Sequence, residues 1–584
     1  MNPPPHTDEN GKNENGIRSV TGPPKATGAS PKKTNFTPSI LLLLAACNCA
    51  FQFAWFWPWV HRNINFDAVS YVGIARHILD GHIRESLHGY WSPLISWLIA
   101  IVGTFCHDLT LAGHITTILT FFLCLPLLYI FTFRLWHSRS VAALAVLWFT
   151  LAHDTTAFSV FFIGADFIFT ACVLAYFIFL LRCLRNPSSR HWLLLGLAHA
   201  IAFLAKAFAM PWLALSTLIA AILSSRNNLR KTILHAALAM IFPIVVWTGW
   251  ASALHAKYGV FTAGYQSKWN LLDPGLRNKD QHAGLAVMFD TSHTYDEYTV
   301  ADSMFPSSPA WKQQVNVKSA IPMSLAKMRH NLPEAGKQIL VLLTPGGILA
   351  IVLALLAARR DAASPESQLI FIAVLDAASL MIGYSMLVFD RRYVLPLVPI
   401  LIAISIVFIL PYARILRFAA VSQSARAVAG ILVLCGVVFF QIYRASPFRT
   451  LRRDYQTSVY DAATTLRSLP SCARLAVIGQ GPFPEHGVGW EEGIYASYFS
   501  SCRIVAFADR IPPDSKMDAL QSDLSAVHPD GILILRGRNN EGYQNLMKKI
   551  IGANQKTLSK PITDPAIGEV GRILWNSDPS PAQR

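Results

Sequence analysis

Between residues 39 and 443, apolar stretches close to the roughly 20 residues needed to cross a bilayer recur one after another. No other feature constrains the chain so strongly, because backbone polar groups inside lipid must pair within their own segment. A stack of membrane helices is therefore the expected fold. Composition agrees: 53% of the 584 residues are hydrophobic and 14% charged, against about 25% charged in soluble proteins. The stretches fall near 39–60, 113–133, 140–161, 167–183, 191–205, 208–224, 232–252, 339–358, 368–388, 393–411 and 426–443, about eleven crossings in all. The shorter run Pro93–Cys106 reads as re-entrant or interfacial.

Charge sets an expected orientation. The formal net charge of +16 comes from short Lys and Arg clusters between apolar stretches, with no basic stripe of the kind that binds nucleic acid. With Pro93–Cys106 left out, Arg18 to Lys33, Arg134 and Arg139, Arg182 to Arg190, Arg226 to Lys231, Arg359 and Arg360, and Arg414 to Arg426 share the cytoplasmic side. The polar residues 1–38 then read as a disordered cytoplasmic tail, and SILLLLAACNCAFQFAWFWPWV as a retained first span. The membrane domain covers 39–443, with outer loops 61–112 and 253–338. Residues 444–584 read as a small extracytoplasmic α/β domain, since RLAVIG, CRIVAFAD, GILILRG and RILW alternate with helical stretches. Cys472 and Cys502 each precede one of those strands, and a disulfide between them suits an oxidising compartment. The loop GQGPFPEHGVGW lacks the spacing of a dinucleotide site.

Several ionisable residues with no obvious structural task fall on the outer side. In NFDAVSYVGIARHILDGH, Asp67 starts an interfacial helix with Tyr71, Ile74 and Ile78 at helical spacing and Gly81 as its stop. Asp67 could cap that helix or act as a base at the membrane surface. Asp166 in FFIGADFIFT stands at a boundary in an apolar setting, where an ionisable group is a functional candidate. Lys206 interrupts HWLLLGLAHAIAFLAKAFAMPWLAL, either snorkelling or serving a lipid phosphate. Arg391, Arg392 and Tyr393 open a span on the side that the positive-inside bias disfavours, and Arg suits phosphate oxygens. Carboxylates and cations gathered at one interface fit a reaction on an amphipathic phosphate, with a carboxylate as base and cations on the leaving phosphate.

The order Asp67 with Tyr71, Asp166, Lys206 and then RRYVLPLVP resembles the GT-C superfamily of membrane glycosyltransferases. The likeness is nearest the branch of protein O-mannosyltransferases, aminoarabinose transferases and RgtA/B/C/D-like enzymes, and covers about residues 39–412. It implies a GT-C-like membrane fold and transfer from a polyprenyl-phosphate sugar donor to a lipid, glycan or protein acceptor at the outer face of a plasma (inner) membrane. It further implies Asp67 as base, supported by Tyr71 and His88, with Asp166, Lys206, Arg391, Arg392 and Tyr393 on the donor phosphate. The chain departs from the pattern at Asp67-Ala68, GYWSPL and Ala165-Asp166, which leaves sugar and acceptor open. His77, His82 and His88 lack ligand spacing, so the sequence requires no divalent metal, though it leaves one open. The rival expectations are a transporter or flippase of lipid-linked substrates, which calls for charges deep within several spans, and a non-catalytic assembly protein.

Overall fold

The computed structural model describes residues 36–264 apart from 63, 153, 154, 226 and 227, then 266, 286–287, and 317–415 apart from 361 and 388. Toward the C-terminus it describes 474–480, 503–508, 511, 517–527, 529–536, 540–553, 557–564 and 568–576. The span expected over 426–443, the 1–35 part of the tail, and Cys472 and Cys502 lie outside the described residues.

Fourteen helices make up the described part of residues 36–415. They are α1 (Phe36–Phe56), α2 (Phe66–Leu79), α3 (Ile83–Ser86), α4 (Leu94–Gly103), α5 (Leu109–Trp136), α6 (Arg139–Leu151) and α7 (Thr155–Phe161). Then follow α8 (Asp166–Arg185), α9 (Ser189–Ala205), α10 (Ala209–Ser225), α11 (Leu229–Tyr258), α12 (Val317–Arg360), α13 (Pro365–Ser385) and α14 (Val398–Ile415). Their ends obey local chemistry. Asp108 accepts from the amides of Thr110 and Leu111 to start α5, Asn228 caps α11, and Gly259 stops α11 at φ +72°.

Among the described residues, five helices are long and apolar enough to cross a membrane: Pro38–Phe56, Leu109–Trp136, Asp166–Arg185, Leu229–Tyr258 and Pro365–Ser385. Shorter apolar helices, α4, α6, α9 and α10, pack among them. The chain is a polytopic helical membrane protein. Helix α8 is its central column, buried along most of its length, whereas α11 exposes Ile241, Ile244 and Val245, as a lipid-facing helix does.

Two expected spans need correcting. The stretch 140–161 is two helices, because Ala152 turns the chain into extended backbone after α6 and α7 starts afresh at Thr155. The 339–358 span belongs to a 44-residue helix that already begins at Val317, inside the expected loop 253–338. At 1.5 Å per residue α12 runs about 66 Å, roughly twice the hydrocarbon thickness. Pro322, Pro333 and several charges hide that continuity from a hydropathy reading.

Near the C-terminus the strands are β2 (Arg474–Gln480), β3 (Arg503–Ala508), β4 (Gly531–Arg536), β5 (Thr557–Asp564) and β6 (Gly568–Asn576). With the two-residue β1 (Ala286–Val287) they form one sheet in the order β1-β3-β2-β4-β6-β5. The β3-β2-β4 centre is parallel, and β1 and β6 join it antiparallel. Ile478, Ile534 and Leu574 pack against Leu520, Leu546 and Tyr543 of the helices Met517–Val527 and Asn540–Ala553.

Helices α9 and α11 approach closely at Gly196, where a Cβ would stand 2.2 Å from the Ala239 carbonyl oxygen. Gly196→Ala should therefore cost about 1–3 kcal/mol through overpacking. Gly249→Ala on α11, facing open space, should leave stability unchanged or raise it. Thermal unfolding of the two variants in detergent checks the contrast.

Candidate active site

The expected site residues come from four separate parts of the chain. Asp67 lies in the first turn of α2 and Asp166 is the first residue of α8. Lys206 is the extended residue that breaks α9 from α10. Arg392 and Tyr393 belong to a 3-10 turn, Arg391–Val394, leading into α14. By helix direction these positions share one end of the bundle. Arg182 and Arg185 close the opposite end of α8, about 30 Å away, where Arg185 pairs with Glu366 at 2.5 Å.

Local geometry explains the convergence. Asn65, just before α2, clasps the turn before α8: its amide donates to the Ile163 carbonyl at 3.1 Å and its carbonyl accepts from the Ile163 amide at 2.8 Å. That double hydrogen bond brings Asp67 alongside Asp166. Asp67 does not act as the cap of α2, because Asn65 holds that position. Ser92 Oγ accepts from the Ala207 amide at 3.1 Å, tying the first loop to the break at Lys206. Lys257, near the end of α11, donates to the carbonyls of Leu87 and Glu85. Gly81 ends the α2 segment at φ +79°, a left-handed position that glycine adopts without strain.

Three ion pairs form the charged wall. Arg392 pairs with Asp67 through Nη1 and with Asp390 through Nε at 3.0 Å. Lys206 Nζ lies 2.5 Å from Asp166 Oδ1, with the carboxylate almost fully buried. Tyr393 joins the pairs: Lys206 Nζ sits 4.8 Å from its ring centre and the Arg392 guanidinium 5.4 Å. Tyr384 stacks on Tyr393 at 4.3 Å. Tyr71 meets Trp91 edge-on, and His88 Nδ1 accepts from the amides of Tyr90 and Trp91, shaping the loop opposite.

These groups line one cavity of about 290 Å³, near the lower end of the roughly 300–1,000 Å³ typical of small-molecule sites. Asp67, Tyr71, His88, Asp166, Lys206, Arg392 and Tyr393 all border it, as do Trp247 and Trp250 of α11. The side chain of Arg391 lies outside the described residues. Burial raises the Asp67 carboxyl above the ordinary carboxylate range, against the opposing charge and hydrogen bond of Arg392. Burial and the neighbouring Asp67 charge raise the Tyr71 phenol as well, keeping it neutral.

Among the described residues no three His, Cys, Asp or Glu side chains gather where an ion could be held. The arrangement offers a carboxylate base, two cations for an anionic group, and aromatic faces for a ring or an apolar chain. Sequence reasoning missed Asn65, Ser92, Tyr384 and Asp390. Of these, only Asp390 carries a readable signal, since it adjoins the Arg pair.

Residues 90–250 match the family of dolichyl-phosphate-mannose-protein mannosyltransferases. No curated protein matches the chain. Among solved structures, ArnT from Cupriavidus metallidurans in the apo state aligns over 92% of this chain and 97% of its own, at 12% identity and a TM-score of 0.52. The same protein bound to undecaprenyl phosphate aligns over 92% and 98%, at 12% identity and a TM-score of 0.50. The chain thus shares its fold with a solved ArnT, and within that fold residues 90–250 are similar to a family of membrane mannosyltransferases.

Proposed function

We propose that this protein transfers a sugar from a polyprenyl-phosphate donor to a hydroxyl-bearing lipid, glycan or protein acceptor, with inversion and with Asp67 as base. The observation that carries this reading is the Asp67–Arg392 pair in a cavity shared with Lys206 and Asp166. The solved relative bound to undecaprenyl phosphate gives the donor class independent support. The reaction takes place on the extracytoplasmic side of the plasma membrane. The N-terminus is cytoplasmic, the chain crosses about eleven times, and 444–584 form an extracytoplasmic domain.

At the cavity wall Asp67 and Asp166 already hold Arg392 and Lys206. A donor phosphate therefore competes with Asp67 and Asp166 for Arg392 and Lys206. Arg392 keeps Asp390 as a second acidic partner during that exchange. Asp67, released from its cation, accepts the acceptor hydroxyl proton while the oxygen attacks the anomeric carbon. The bond from that carbon to the phosphate oxygen breaks, and its electron pair leaves with the polyprenyl phosphate. The leaving group gains one negative charge in the process, so Arg392, Lys206 and Arg391 bind it more strongly in the transition state than in the ground state. Tyr71 and His88 support the loop that faces the reacting ring. Trp247 and Trp250 offer apolar surface for the sugar face or lipid chain.

The transporter reading calls for ionisable groups deep within spans, and Asp376 in the middle of α13 is such a group. It is hydrogen-bonded to Ser216 within the bundle and does not border the cavity.

Purified protein offered radiolabelled polyprenyl-phosphate sugars should release or transfer the label, and Asp67→Asn should lose about 10²–10⁴-fold of that activity. Failure to turn over any donor, with lipid binding unchanged in the variant, would move the assignment to a transporter or a binding protein. The pH profile gives a second check. Activity is full above the Asp67 pKa and falls as pH drops through it, and Arg392 holds that pKa down against burial. Arg392→Met should thus move the acid limb of kcat/KM upward, by roughly one to three on the pH scale, besides lowering its plateau.

A further inference from the structure

Asp376 is the twelfth residue of the 21-residue α13 and is 1% exposed. The proposed transfer makes no direct use of it. An apolar side chain would pack there without the cost of burying a carboxyl, so its contacts need an account. Ser216 Oγ donates to Asp376 Oδ2 at 2.7 Å, and Trp212 Nε1 donates to the Asp376 carbonyl at 3.0 Å. Both donors lie on α10, one turn apart and so on one face. Together they fix α10 lengthwise against α13.

That register reaches the cavity. Six residues before Trp212 stands Lys206, and two residues after Lys206 the Phe208 ring enters a notch at Gly383, where a Cβ would meet its Cζ at 2.5 Å. Phe208 packs on Tyr384 at 4.9 Å, and Tyr384 stacks on Tyr393 at 4.3 Å. Lys206 Nζ rests over that same Tyr393 ring. Asp376 lies eight residues, about 12 Å along the helix, from Tyr384. A slip of α10 by one residue, about 1.5 Å, would take Phe208 out of its notch and Lys206 off its ring. A misplacement of about 1 Å can cost 10²-fold in rate.

We infer that Asp376 is a positioning residue for the proposed transfer, its hydrogen bond to Ser216 holding Lys206 at the place where the donor phosphate binds. This inference rests on the transferase reading given above.

Asp376→Asn, Asp376→Leu and Ser216→Ala in the full chain test it through donor KM, kcat and the melting temperature. Asp376→Asn keeps an acceptor for Ser216 and should stay within about threefold of the parent. Asp376→Leu should raise the donor KM about tenfold or more while its melting temperature holds or rises, and Ser216→Ala should move KM the same way. Parent-like KM and kcat in Asp376→Leu would overturn the inference. So would a loss of active protein that follows a falling melting temperature with KM unchanged. A parent that turns over no donor would instead overturn the transferase reading, and this inference with it.

Discussion

Four charges must be kept at the edge of an apolar bundle, and the way they are paired governs the rest of the molecule. A buried carboxylate without a partner is costly, and removing one member of a buried pair typically costs about 3–5 kcal/mol. Asp67 with Arg392 and Asp166 with Lys206 meet that demand using residues from α2, α8, the α9–α10 break and the turn before α14. Each pair spans a long stretch of sequence, so the charges impose a common end on helices that hydropathy alone leaves free to slide. Because both cations are already paired, the entry of an anion becomes an exchange of partners.

The supports of the charged wall are mostly neutral. Asn65 clasps Ile163, Ser92 holds the Ala207 amide, and the Tyr384–Tyr393 stack carries Lys206. Each makes short-range contacts that fix direction, while the ion pairs supply long-range attraction. Within the bundle, the Asp376–Ser216 contact repeats this division of labour, anchoring a register whose effect is felt at the cavity.

What the sequence conveys follows from this division. Asp67, Asp166, Lys206 and Arg392 are readable because a charge beside a long apolar stretch stands out against its surroundings, and the structure brings all four to one cavity. Asn65, Ser92 and Tyr384 are not readable, since polar and aromatic residues are ordinary at a membrane boundary. Asp376 is hidden in the opposite way: the apolar residues around it dominate any window that includes it. The helical periodicity behind α2 and the stop at Gly81 is local, and so it is legible. The break at Ala152 and the run of α12 through Pro322 and Pro333 are decided by tertiary packing, which a window of sequence does not contain.

The sheet near the C-terminus has a consequence for how copies of this protein meet. An unpaired strand edge invites the same edge of a neighbour, and the two flanks here are guarded differently. On one flank β1 lies along β3, so part of that strand's hydrogen-bonding row is already taken. On the other, β5 holds Pro561 near its middle, a residue that has no amide hydrogen to offer. Strand-to-strand aggregation is discouraged on both sides.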